Sequence, residues 1–379
     1  MIKKLTLLNK LGSLRQVIAV GALLTPIIGK RFIPYPYMMT LVVTHRCDSR
    51  CQMCSIWKEK QSPFLSLEQI ERILSRNNFS FIRSVTLSGG EPTLRADLPQ
   101  LFEIILEHLP NLEHVLLATN GFNTHRIVEQ VNCMLETLDT RDNRVRGFGV
   151  QISLDGIDQV HDTVRGIHDS FQKVKATLAQ LRALQTRFSR LNLRLHCTLM
   201  SSNLPYIDSL GEFAKQQNLE ISYSPVIFSH EYHNNLHKME DLSLSDDDRV
   251  VAQRFFEQLG QEDKTIFRFH YRDVAQMLQD NPRRQRCMMG FYGFVLEHDG
   301  NVYPCVNYEK TGFGNLLTDS FKDVWFGALA NDARRQIRSE SCSTCPAPCY
   351  PNPVNFFQVA QVAWQQLIEL RSGTKFMLW

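Results

Sequence analysis

A charge excess is missing: 42 lysines and arginines stand against 39 aspartates and glutamates, a formal net of +3. That balance gives no basis for a nucleic-acid partner. Basic residues cluster only locally, at Lys3 and Lys4, at Lys30 and Arg31, and in the RRQR of Arg283 to Arg286. Internal repeats and low-complexity tracts are also missing, which excludes solenoids and disordered arrays. The most apolar stretch, VIAVGALLTPIIG from Val17 to Gly29, contains Pro26 and is too short to span a bilayer. It has no A-x-A-like site, so a secretory signal is not expected. These absences point to a cytoplasmic chain, in which clustered cysteines are metal-binding or catalytic rather than a disulfide framework.

What is present is cysteine in two clusters. The chain has 379 residues, 43% hydrophobic and 21% charged, the composition of an ordinary globular protein, and ten cysteines. Cys47, Cys51 and Cys54 fall within THRCDSRCQMCSIW, Thr44 to Trp57, spaced C-x-x-x-C-x-x-C. Five more fall between Cys287 and Cys349. Cys133 and Cys197 stand singly in apolar contexts and are expected in the core, where a thiol packs as a small hydrophobe.

Between the clusters the chain alternates. Short β-branched runs (YMMTLVVT, IRSVTLSGG, EHVLLATNG, GFGVQISLDG, LNLRLHCTLM, LEISYSPVIF) are separated by segments of helical period, beginning with SLEQIERILSR. Ser66 with Gln69 three residues on forms a capping box at the start of that first helix. Six such units predict a parallel sheet closed into a barrel or partial barrel, with active groups at the C-terminal ends of the strands. SDDDRVVAQRFFEQLG reads as a helix ended by Gly260, and YRDVAQMLQ as a second, short one. FVLEHDGNVYPCV is a hairpin with Asp299-Gly300 at its turn. The expected organisation is an amphipathic helical extension over 1–33, an α/β core over 34–230, a helical bridge over 231–283, a cysteine-rich domain over 284–352, and a terminal helix over 353–379.

Three cysteines at this spacing fit zinc or an iron–sulfur site. Structural zinc needs four ligands, and His45 could supply the fourth, although its place suits the strand end better. A cubane held by three thiolates keeps one iron open to a substrate or cofactor. In this respect C-x-x-x-C-x-x-C after the first strand of a βα series resembles the signature of the radical S-adenosylmethionine (SAM) superfamily. The resemblance implies a partial (β/α)6 TIM-like barrel over roughly residues 37–230. It also implies a [4Fe–4S] cluster on Cys47, Cys51 and Cys54, with SAM chelated by the open iron and cleaved to methionine and a 5′-deoxyadenosyl radical.

Further strand-end motifs match in order. SGGEP, Ser88 to Pro92, resembles the stretch that binds the SAM amino group, which implicates Gly89, Gly90, Glu91 and Pro92. ATNG closes the third strand at Thr119 to Gly121. SLDG, Ser153 to Gly156, would bring Ser153 to the SAM carboxylate and Asp155 to the ribose. Arg165 resembles an arginine that pairs with the carboxylate, and Met53 stands where members keep a bulky residue beside the adenine. Read without the resemblance, each motif is only a turn, and Arg165 a surface arginine.

The second cluster, Cys287-x12-Gly300-x4-Cys305 followed by Cys342-x2-Cys345-x3-Cys349, fits a zinc ribbon on spacing alone. Beside the first domain it resembles the SPASM/twitch extensions that hold auxiliary iron–sulfur clusters. Five thiols suit one auxiliary [4Fe–4S] cluster, with Cys287, Cys305, Cys342 and Cys345 as ligands and Cys349 spare or in place of one of them. That cluster would relay electrons, with an external donor such as flavodoxin or ferredoxin.

The substrate is the least determined element. Tyr223, His230, His233 and His237 fall near the sixth strand end; the histidines lie in a polar run and read as solvated, while His196 and Cys197 read as packing or barrel-lining. Residues 1–33 are too short and apolar for a peptide-binding module. That tilts the expectation toward a small-molecule or lipid-linked substrate, with peripheral membrane contact through the N-terminal helix, over a peptide-modifying maturase. A non-catalytic iron–sulfur electron carrier or sensor would need the clusters but not SGGEP, SLDG and Arg165. A zinc-stapled binding module would be colourless.

Overall fold

The computed structural model describes residues 33–58, 63–141, 144–229, 232–263, 265, 267–284, 287–308, 311–338, 342 and 345–347. The expected helices over 1–33 and 353–379, together with His230 and Cys349, lie outside them. Among the described residues no helix is long and apolar enough to cross a membrane.

The chain divides into two compact units, one of 35–245 and 289–336, the other containing 246–288 and the described residues from Ile337 on. The first is built on β1 (Met38–Thr44), β2 (Ser84–Gly89), β3 (His114–Thr119), β4 (Gly147–Ser153), β5 (Leu191–Leu199) and β6 (Glu220–Pro225). All six are parallel, and they lie in sheet order 6-5-4-3-2-1. This is the expected partial (β/α)6 barrel. Helices fill the connections: α1 (Leu67–Arg76), α2 (Leu98–His108), α3 (Thr124–Arg141), α4 (Gln159–Arg165), α5 (Ser170–Arg187) and α6 (Ile207–Gln216). Alternation along the strands sends one set of side chains to the helices, so that β5 reads buried at every odd position from Leu191 to Leu199. Phe102 and Phe148, both fully buried, meet edge-to-face with ring centroids 5.8 Å apart between α2 and β4.

The capping box forms as expected: Gln69 N donates to Ser66 Oγ at 3.2 Å, and Ser66 N donates to Gln69 Oε1 at 2.9 Å. Cys133, expected in the core, is exposed. The buried stripe of α3 runs through Ile127, Val131, Met134, Leu135 and Leu138, and position 133 falls on its other side.

The cysteine-rich segment is shared between the units. Its hairpin strand β7 (Gly293–Leu296) pairs parallel with β1, from Met38↔Gly293 to Leu41↔Leu296, and β8 (Asn301–Tyr303) and β9 (Gly314–Asn315) follow antiparallel. Gly300 takes φ +91 at the turn after Asp299, a conformation that favours glycine. Phe294, Phe313 and Phe321 pack on Trp325 here, and the Arg334 guanidinium lies 4.4 Å from the Trp325 ring centroid while its Nε donates to the Gly290 carbonyl at 2.6 Å.

In the second unit α7 (Asp246–Glu262) pairs with α8 (Phe267–Met277). Gly260, expected to follow the first of these helices, lies inside it. A Cβ there would stand 2.7 Å from Arg272 Cγ, and Arg272 Nε donates to the Gly260 carbonyl at 2.9 Å, so the glycine serves the helix contact rather than the helix end.

Candidate functional site

The polar motifs gather where the parallel strands end. The cysteine loop leaves β1 at Thr44 and is held by three separate stretches of chain. The first follows β2: Gly90 N donates to Thr44 O and Glu91 N to Arg46 O, each at 2.8 Å. Gly89 has φ +138, and a Cβ on it would collide with the Thr44 carbonyl; one on Gly90 would collide with that of Arg46. The glycines thus let two protein backbones meet. The second stretch is the end of α4, where Arg50 N donates to Arg165 O at 2.9 Å and Gln52 N to Val164 O at 2.8 Å. The third follows β6: the fully buried Asn235 donates from Nδ2 to Met53 O at 2.7 Å, Ser55 N donates to His233 O at 2.7 Å, and Lys238 Nζ donates to Gln52 O at 2.7 Å.

Glu91 is buried, and its carboxylate already accepts from Thr93 N at 3.1 Å, Thr93 Oγ1 at 2.6 Å, Thr119 Oγ1 at 2.9 Å and Asn120 N at 2.7 Å. It ties the end of β2 to the end of β3 rather than standing open to a ligand. Burial pushes its pKa up, and the hydrogen bonds from Asn120 and Thr93 oppose the rise. Asn120 of the ATNG turn donates in addition to Asp48 Oδ1 at 2.6 Å, linking the third strand end to the cysteine loop.

Asp155 likewise has no exposed oxygen for a ribose. Oδ1 accepts from Thr198 N at 2.8 Å, Oδ2 faces Arg165 Nε at 2.6 Å, and the side chain is wholly buried. Arg165 is buried too, not a surface residue, and its Nη1 reaches Cys51 Sγ at 3.5 Å. Burial works against the Arg165 charge, but the Asp155 carboxylate and the Cys51 sulfur outweigh it and hold the pKa above its ordinary value. A positive guanidinium is thus fixed beside the cysteines. Ser153 ends β4 in register with His196, whose ring lies 3.0 Å from Ser222 Oγ and 3.2 Å from Ser224 Oγ. Pro92 is buried at the start of the turn after Glu91. Met53 is buried and packs with Cys51, Val164, Met200, Val226 and Leu242.

Cys51 is buried, and Cys47 and Cys54 are half-buried. Burial, reinforced by the neighbouring Cys51, pushes Cys54 up to about 12 and Cys47 higher still. Cys51 Sγ lies 2.9 Å from Ser49 Oγ. A bound cation favours the thiolate form of Cys47 and Cys54, which is the chemistry an iron cluster supplies. Ser55 Oγ, next to Cys54, is buried with no partner among the described residues, which suits a bound group that brings its own acceptors. The donor set fits a three-thiolate cluster.

The substrate-side expectations need correction. Tyr223 is buried against α6, where a Cβ on Gly211 would stand 3.4 Å from its hydroxyl. His233 is half-buried, and burial lowers its pKa to about 4; His237 is exposed. Sequence reasoning missed Asn235 and Lys238 because they sit in a polar run whose contacts to the cysteine loop reach across more than 180 residues. It also left out Tyr232, whose hydroxyl lies 3.2 Å from Ser88 Oγ, and Glu297, which accepts from His45. In the second unit burial raises the Cys345 thiol, a backbone hydrogen bond at Ala347 opposes the rise, and Cys287 adds to it. Cys342 belongs to the same unit, whereas Cys305 is buried in the barrel unit.

A parallel α/β barrel with three clustered cysteines, a buried arginine and a glycine-lined turn at its strand ends belongs to the radical SAM enzymes, here with a C-terminal SPASM domain. The sequence matches the radical SAM superfamily over residues 41–193 and the SPASM iron–sulfur cluster-binding domain over 287–346. Membership implies a [4Fe–4S] cluster, SAM and auxiliary iron–sulfur binding.

Among relatives, the chain is 26% identical to a cysteine-type anaerobic sulfatase-maturating enzyme of Clostridium novyi, over 84% of this chain and 90% of that one. It is 22% identical to the subtilosin biosynthesis protein AlbA of Bacillus subtilis, over 85% and 68%. It is 28% identical to a GTP 3′,8-cyclase of Pasteurella multocida over 39% of this chain, and spans only 46% of that relative's length. In fold it resembles native anSMEcpe with bound AdoMet, with TM-score 0.59 and 17% identity over 90% of this chain and 100% of that one.

Proposed function

We propose that this enzyme is a maturase: it uses SAM-derived radical chemistry to oxidise a side chain of a polypeptide. Cys47, Cys51 and Cys54 would hold the SAM-binding cluster. Arg165 and Ser153, with the backbone of Gly89 to Pro92, would take the SAM carboxylate and amino group, and Met53 would stand against the adenine. Asp155 serves as a positioning residue that aims Arg165, and Glu91 as the latch behind the glycine turn. Cys287, Cys342 and Cys345 would serve as ligands of the auxiliary cluster.

The observation that carries the catalytic reading is Arg165, a buried cation suspended between Asp155 Oδ2 at 2.6 Å and Cys51 Sγ at 3.5 Å. An electron carrier gains nothing from a guanidinium fork beside its cluster, whereas a carboxylate-bearing cofactor does. Bound at this site, the cluster and SAM supply the electron transfer that generates the hydrogen-abstracting radical, with reduced flavodoxin or ferredoxin as donor. The polypeptide substrate rests on the relatives matched along most of both chains, a sulfatase-maturating enzyme and a bacteriocin biosynthesis protein. It replaces the tilt toward a small molecule.

The first test is anaerobic reconstitution, reduction and addition of SAM, with 5′-deoxyadenosine as readout and a Cys47/Cys51/Cys54→Ala variant alongside. Iron should reach about eight per chain for two cubanes. The substrate class is tested by adding cell extract split by ultrafiltration. Stimulation by the retained, protease-sensitive fraction is expected; stimulation by the filtrate alone would reject a polypeptide. Peripheral membrane contact through residues 1–33 is a separate proposal, tested by liposome flotation with and without residues 1–30.

A further inference from the structure

Glu297 and His298 open the hairpin that follows β7, and His45 follows β1, the strand to which β7 is paired. The pairing brings their side chains together at the same strand-end edge as the cysteine loop. His45 Nε2 lies 3.2 Å from Glu297 Oε2, and His298 Nδ1 lies 3.4 Å from the same oxygen. The three ligand atoms all lie within 4.8 Å of one another. The two imidazole rings are 3.7 Å apart between centroids. His45 and Glu297 are 7% and 9% exposed. None of the three residues belongs to the radical SAM or auxiliary-cluster machinery described above.

We propose that His45, Glu297 and His298 form a mononuclear site for a divalent cation of the zinc class, distinct from both iron–sulfur centres. Two imidazoles and one carboxylate are the donor set of open zinc sites, in which a fourth position stays free for water or an anionic substrate group. With bonds of about 2.0–2.1 Å, neighbouring ligands of a tetrahedral ion stand about 3.3 Å apart. The two edges from Glu297 Oε2 already have that length, at 3.2 and 3.4 Å. The scaffold is rigid: Glu297 N donates to Asn301 O at 2.8 Å, Gly300 N to Glu297 O at 3.0 Å, and Leu65 N to His298 O at 2.8 Å. The site does not depend on the polypeptide substrate proposed above.

The test uses the full-length, cluster-loaded protein under anaerobic conditions. It is incubated with zinc chloride and desalted, and zinc and iron are then counted. The parent is expected to retain about one zinc per chain with iron unchanged, and Glu297→Gln and His298→Asn to lose that zinc while keeping the parent's iron. Retention of none by the parent, or of equal zinc by parent and variants, overturns the proposal. Zinc X-ray absorption on the parent alone decides independently of the variants. A first shell of nitrogen and oxygen with imidazole scattering supports the site, and sulfur in the shell places the zinc on cysteines and refutes it.

Discussion

Asn235 donates from Nδ2 to the Met53 carbonyl at 2.7 Å, across 182 residues of chain, while its Oδ1 accepts from Ser229 N at 2.9 Å. The side chain is fully buried, and Nδ2 also reaches the Ile227 carbonyl at 2.9 Å. Asn235→Ala would leave these buried backbone groups without partners, at about 1–3 kcal/mol for each group. The expected result is a lower urea midpoint together with reduced iron after reconstitution, because the loop that carries Cys51 and Cys54 loses its third support. Full iron content at a lowered midpoint would separate the fold from the site and count against the clamp.

Arg165→Lys keeps the charge and removes the fork. Loss of one charge-assisted contact is worth about 1.5–3 kcal/mol, so SAM should bind roughly ten- to a hundredfold more weakly. Calorimetric titration of SAM into reconstituted parent and variant, with iron counted in both, reads this directly. Unchanged affinity would remove Arg165 from the SAM site.

Two glycines predict opposite outcomes. In Gly90→Ala the new Cβ would lie 2.7 Å from the His45 carbonyl oxygen, and backbone cannot yield as a side-chain tip can. A cost of about 1–3 kcal/mol is expected, with the cysteine loop displaced. Gly211 sits within α6, and its Cβ would meet nothing nearer than the Tyr223 hydroxyl at 3.4 Å. Gly211→Ala should therefore stabilise by up to about 1 kcal/mol. Parallel urea titrations compare the pair.

His161 is fully buried, and its Nδ1 accepts from Asp155 N at 3.1 Å. Burial, then the Arg165 charge, lowers its pKa from 6.5 to about 3. Between those values the unfolded chain binds a proton that the native chain refuses. Stability is therefore complete above about pH 6.5 and falls as the pH drops. From pH 7 to 5.5 this one group should cost about 1 kcal/mol. His161→Asn, which can still accept from Asp155 N, should lose less stability than the parent over that interval. Equal losses in thermal melts would mean that His161 is protonated in the native state.

The barrel was legible because its signals are local. Alternating β-branched runs, Ser66 with Gln69, and Asp299-Gly300 each act within a few residues, and each appears where the sequence places it. The strand-end motifs were legible in the same way. What the side chains do there was not. Glu91 and Asp155 look like open acceptors in a linear string. Their partners, Thr119, Asn120, Thr198 and Arg165, come from other strands and turns, and only the closed sheet brings those donors in. Asn235 and Lys238 sit in a stretch whose composition suggests solvent, and nothing nearby reveals that it folds over the cysteine loop. Cys133 failed for a simpler reason: apolar neighbours in sequence do not share a helix face.

The parallel pairing of β1 with β7 also bears on how the protein is made. While the chain emerges from the ribosome, Met38 to Leu41 can pair with β2 early, but their other side stays an open sheet edge until Gly293 to Leu296 have been synthesised. An exposed edge of apolar strand invites pairing with other chains. The strand that leads into Cys47 is thus made long before the strand that encloses its second edge. A ribosome that stalls before the hairpin would release a barrel whose cysteine loop hangs from an unfinished edge.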